Sequence, residues 1–145
     1  MNVTEFLAKV RFFPCATVVN SWDSINDQGS VLMQLWAEPG QRVRTHAVAN
    51  AYLRVCCWKS ASHALYGQKQ AVGYNGRTKA IEAFEAGARG YAALSNAPEA
   101  ERKAGAWAKN ADLSKVYPVL AIERSTDSKD VFAILGVPIS LDEIT

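Results

Sequence analysis

Two runs of β-forming residues, KVYPVLAIE at 115–123 and DVFAILGVPI at 130–139, flank the polar stretch RSTDSKD. Such a pair predicts two strands joined across a polar turn, so the chain must build a sheet. The rest has to cover or extend it. VLMQLWA and CATVVN are also rich in β-formers, with NDQG between them as turn chemistry and SWDS in the connection, and they predict a second hairpin. Glu38-Pro39-Gly40 closes that element. Tyr52, Val55 and Trp58 predict a strand over 52–58, and GYAALS predicts another at 90–95.

Three segments carry helical signals. In VTEFLAKVRFF, Thr4 is an N-cap residue with Glu5 in the first turn, and Phe6, Val10 and Phe13 recur at helical spacing before Pro14. From 77 to 86, Ala80, Ile81 and Phe84 form an apolar stripe, Lys79 precedes Glu82, and Gly87 is a natural C′ residue. APEAERKAGAWA predicts a helix with Pro98 at its first position. The order points to an α+β fold, a mixed or largely antiparallel sheet with about three helices, of which a small PUA-like barrel is the curled version. With 145 residues, residues 1–145 are expected to form a single globular domain.

Apolar residues make up 49% and charged residues 21%, which excludes a disordered or fibrous chain. No apolar run approaches the ~20 residues that span a bilayer, and MNVTEFLAKVRFF lacks the pattern of a signal peptide, so no membrane contact is expected. Cys15, Cys56 and Cys57 are an odd set, and adjacent side chains on an extended segment point to opposite faces. Reduced thiols and a cytoplasmic location are therefore expected.

Charge is unevenly spread. Lys and Arg number 2 against 4 Asp and Glu in residues 1–40, 8 against 2 in 41–90, and 6 against 8 in 91–145, giving −2, +6 and −2. The middle third is the basic part. Within it lies AVGYNGRTKAIEAFEAG, where a turn at Gly73, Tyr74, Asn75 and Gly76 would precede a helix beginning at Arg77. Helix-start amides and their dipole favour an anion, and Arg77 and Lys79 add charge beside them.

GYNG, with Val72 before it and a basic helix after it, resembles the GXXG loop of the KH family of single-stranded nucleic-acid binders. That resemblance implies a backbone-clamping loop between two helices. Lys79 stands where such loops usually carry a large apolar residue, and the preceding SASHALYGQKQ shows little apolar stripe. Around the motif, Arg42, Arg44, Arg54, Lys59, Lys69, Arg77, Lys79 and Arg89 interleave with Tyr52, Trp58, Tyr66 and Tyr74. Cations that follow phosphates together with rings that stack on bases suit a single strand.

Other chemistries are less well supplied. His46, Cys56, Cys57 and His63 lack the paired spacing of a zinc site, so no metal or other cofactor is expected. No pattern prepares a cysteine nucleophile with a base, and Asp23, Glu38 and Glu123 form no evident ion-binding motif. Trp22 and Trp36 beside polar residues are similar to the cages of PUA-like readers, although core packing explains them better.

The sequence thus points to a small non-enzymatic nucleic-acid-binding module. Its contacts would be Arg54, Trp58, Lys69, Gly73, Tyr74, Asn75, Gly76, Arg77 and Lys79, with Arg77 and Lys79 on phosphates and Tyr74 and Trp58 on bases. The alternative is a protein-interaction module, such as a phage or mobile-element inhibitor or adaptor acting on a host protein complex. A homodimer is compatible with either.

Overall fold

A computed structural model gives the fold and describes residues 23–25, 29–37, 41–44, 46–58, 71–96, 111–126 and 130–140, with 24, 25 and 71–76 described by backbone alone. The elements are β1 (Asp23–Ile25), β2 (Val31–Trp36), β3 (Leu53–Trp58), α1 (Ala71–Glu85), β4 (Gly90–Ser95), β5 (Lys115–Arg124), β6 (Val131–Leu135) and β7 (Ile139–Ser140). The seven strands form one sheet of order β1-β2-β4-β5-β6-β3, with β7 paired to β5. Among the described residues only β2 and β4 pair in parallel, and every other strand pairing is antiparallel.

Sheet dominates, and the expectation of about three helices is corrected: among the described residues α1 is the one helix. The segments read as helices at 4–13 and 97–108 lie outside the described residues. The sheet curls into a half-barrel rather than a small closed barrel, with β1 and β3 at its two ends. Within the expected first hairpin, CATVVN lies outside the described residues, and the strand that pairs with β2 is Asp23–Ile25, which had read as connection.

The hairpin of β5 and β6 forms as expected, but the second run divides. Gly136 donates its N–H to the Pro118 carbonyl, and the chain then resumes as β7 against the start of β5. Among the described residues no helix is long and apolar enough to cross a membrane.

Alternation sets the core. Val31, Met33 and Leu35 of β2 share one side with Val131, Ala133 and Leu135 of β6, and there they meet Val55 and the Ala80–Ile81 face of α1. Each large apolar side chain so buried contributes roughly 1.5–3 kcal/mol. Leu32, Ala93 and Ile134 point the other way along their strands and are also fully buried, so the sheet is covered on both faces.

The end of α1 matches its sequence signal. Gly87 takes φ +100°, its N–H donates to the Phe84 carbonyl, and the Ala88 N–H donates to the Ala83 carbonyl, a Schellman closure. The chain then enters β4 at Gly90, where a Cβ would meet the Val31 carbonyl oxygen and sit 2.8 Å from two Phe84 ring carbons. Backbone cannot yield there as a side chain can. Gly90→Ala is expected to lower the unfolding free energy by ~1–3 kcal/mol in urea titration, and an unchanged midpoint would contradict this close approach.

Candidate functional site

Arg77 had read as a phosphate ligand at a helix start. Instead α1 begins at Ala71, so Gly73, Tyr74, Asn75 and Gly76 lie within helical backbone and form no turn between two elements. Two glycines each cost about 1 kcal/mol in a helix, but tertiary anchoring of the following turns overrides that propensity. Arg77 supplies such an anchor.

The Arg77 side chain is 8% exposed. Its Nε donates to Asp23 Oδ2 at 2.6 Å, its Nη2 to Asp23 Oδ1 at 3.2 Å and to the Gln34 carbonyl at 2.7 Å, and its Nη1 to the Cys57 carbonyl at 2.6 Å. Asp23 Oδ1 in turn accepts the Gln34 N–H at 3.0 Å. The ion pair therefore serves both polar groups of Gln34, as a neighbouring strand would, and ties β2 to the opposite end of the sheet at β3. The phosphate role expected for Arg77 and the ion-binding role considered for Asp23 give way to this internal pair, because each group is buried and engaged by the other.

Around it, the Cys57 thiol is pushed up to about 12 by burial, partly offset by Arg77, so it stays neutral at physiological pH. A register shift between Cys56 and Trp58 places both Cys57 and Trp58 against the core. Trp58, expected to stack on a base, is half-buried there. Lys79 is exposed on α1, and Lys69 lies outside the described residues.

Arg54 has a different setting. On β3 it points away from the core, with its Cζ 3.6 Å from the centroid of the Phe132 ring and its Nε donating to Glu123 Oε1 at 2.7 Å. Strand register explains the geometry: Cys56, Phe132 and Glu123 lie in one row across β3, β6 and β5, and Arg54 crosses the Phe132 ring to reach the carboxylate. The other Glu123 oxygen lies 2.9 Å from His46 Nε2. Because the Val48 N–H donates to His46 Nδ1, the ring proton sits on Nε2 and donates to Glu123. Hydrogen bonds from Arg54 and then His46 hold the Glu123 carboxyl below its ordinary range.

The free edge of β3 carries the 41–43 segment, with the Arg54 N–H donating to the Gln41 carbonyl and the Val43 N–H to the Tyr52 carbonyl. Arg42 folds over this rib. Its Cζ lies 3.9 Å from the Tyr52 ring centroid and its Nη1 donates to the Tyr52 carbonyl at 3.0 Å. Arg44 is exposed in the following loop, which turns through Asn50 at φ 66°.

Two arginine–aromatic stacks and a further exposed arginine thus share the β3 end of the sheet. Sequence reading placed Arg42, Arg44, Arg54 and Tyr52 in one basic, aromatic region but missed Phe132, whose signal was the hairpin register that sets it opposite Glu123. Among the described residues no group of three His, Cys, Asp or Glu is placed to hold a metal, and His46 is occupied by Glu123 and Val48.

Comparison with known protein families, with curated proteins and with solved structures finds no match to this chain, so its own residues carry the functional argument.

Arg77 and Lys79 now have opposite expectations. Arg77→Ala leaves Asp23 buried without its cation and is expected to cost ~3–5 kcal/mol or abolish folding. Arg77→Lys should not restore stability, since one ammonium cannot reach three strands in that fork geometry. Lys79→Ala should change stability by no more than about 0.5 kcal/mol. Urea unfolding followed by circular dichroism measures all three; a wild-type midpoint for Arg77→Ala would contradict the internal role.

Proposed function

We propose that the protein is a small cytoplasmic module that binds single-stranded nucleic acid through the β3 end of its sheet. The observation that carries the reading is the pair of stacks, Arg42 on Tyr52 and Arg54 on Phe132. A guanidinium laid flat on a ring keeps its own outer plane for a nucleobase and its edge for phosphate oxygens. Arg54 is well suited to this, because of its three guanidinium nitrogens only Nε makes a hydrogen bond among the described residues, and its side chain is 39% exposed. Arg44 adds a cation beside them. The buried free thiol of Cys57 fits a reducing compartment.

The sites differ from those first expected: Arg54 stays, Arg42 and Arg44 join it, and Arg77 and Trp58 serve the fold. The competing reading, a protein-interaction module, draws on Leu120 and Val137, which are exposed at 39% and 61% in β5 and in the link to β7.

The test is a titration of the protein with labelled single-stranded DNA and RNA across a range of salt. Each phosphate contact contributes about 0.7 to the slope of log affinity on log salt for a single strand. Arg42→Ala with Arg44→Ala should therefore weaken binding and flatten the slope by about 1.4 while the domain stays folded, with the loss of the Arg42 contacts to Tyr52 costing about 1 kcal/mol. No binding by the wild type at low salt would overturn the reading and direct attention to the Leu120–Val137 surface.

A further inference from the structure

We propose that Glu123 is a built-in competitor for the anionic ligand, masking Arg54 and His46 until a phosphate displaces it; this rests on the β3 end being the binding face. Its two oxygens are held by one donor each, Arg54 Nε at 2.7 Å and His46 Nε2 at 2.9 Å. Carboxylate and phosphate oxygens accept from the same N–H groups, so the place Glu123 fills is a site for an oxyanion.

Charge gives the mask its effect. With the Val48 N–H donated to Nδ1, His46 offers its Nε2–H to the carboxylate, and the charges of Arg54 and Glu123 cancel. A phosphate approaching Arg54 meets a carboxylate already there. Removal of Glu123 leaves one guanidinium donor and one imidazole donor converging on the space that one carboxylate occupied, which matches two oxygens of a single phosphate.

The Glu123 side chain is 34% exposed at the end of β5, so it can turn into water without disturbing the core. The Phe132 ring meanwhile holds the Arg54 guanidinium in place from below. Arg42 and Arg44 lie outside the trio and supply charge for the first encounter.

The experiment compares the full chain with Glu123→Gln and Glu123→Ala, using a labelled oligothymidylate over a range of salt and inorganic phosphate followed by the nuclear magnetic resonance signals of Arg54 Nε–H and His46. Glu123→Gln keeps the shape and Glu123→Ala empties the place, so a folding defect in one is separated from the charge effect by the other. Unmasking is expected to tighten oligonucleotide binding about 3- to 10-fold and to steepen the salt slope by about 0.7, one added phosphate contact on a single strand. Arg54→Ala combined with Glu123→Gln should cancel the gain.

If the wild type binds and both variants bind no more tightly, the masking role is overturned while the binding face stands. If neither wild type nor variants bind the oligonucleotide, the functional reading fails and the phosphate titration decides the mask. Shifts of Arg54 Nε–H in the variants with little in the wild type uphold it, and no shift in any of them overturns it.

Discussion

The Arg77 guanidinium donates to a carboxylate on β1, a carbonyl on β2 and a carbonyl on β3, and the architecture depends on that convergence. A half-barrel leaves two strand edges with backbone groups that need partners. On β2, one edge pairs with β4, and among the described residues the other pairs with β1 from Ile25 to Asp23. Next to it the Asp23 carboxylate takes the Gln34 N–H and Arg77 takes the Gln34 carbonyl, so two side chains serve the backbone groups of that residue. Gln41 contributes further along the same edge, its amide donating to the Trp36 carbonyl at 3.4 Å. Burying an ion pair is costly to desolvate, and here the cost is offset by hydrogen bonds that satisfy several other buried groups at once.

The candidate interface inherits its geometry from this arrangement. The bulge near Cys57 turns Cys57 and Trp58 to the core and presents the Cys57 carbonyl to Arg77, while Arg54 and Cys56 stay on the outward side of β3. Fixing β3 by Arg77 on one side and the 41–43 rib on the other holds Arg54 over Phe132. At the far side, Arg124 makes two hydrogen bonds to Glu85, at 2.7 and 2.8 Å, which tie the end of β5 to the end of α1. The rows that carry Glu123 and Phe132 are thus anchored at both ends, as a preformed binding surface requires.

Much of this was legible in the residues, and the failures have specific causes. GYAALS became β4 as read, and Gly87 capped α1 because a left-handed residue at that position has few alternatives. The same helical spacing that marked Ala80, Ile81 and Phe84 as buried places Arg77 on their stripe, three and four residues before the first two. A basic side chain was read by its charge when its position already assigned it inward. GYNG was read by local turn propensity, which tertiary packing of α1 overrode. Phe132 and Glu123 meet Arg54 across strands distant in sequence, and only sheet order brings them together. That order, with β3 leaving its chain neighbours to pair beside β6, has no local signature in any single segment.

Native-state hydrogen exchange at the Gln34 amide tests the role of the Asp23–Arg77 pair most directly. If those side chains replace a strand, that amide exchanges as slowly as those of Met33 and Leu35 on either side of it, through global unfolding alone. Exchange of Gln34 many times faster than its two neighbours, at the rate of an open sheet edge, would show that the edge is not closed by Arg77 and would contradict the account.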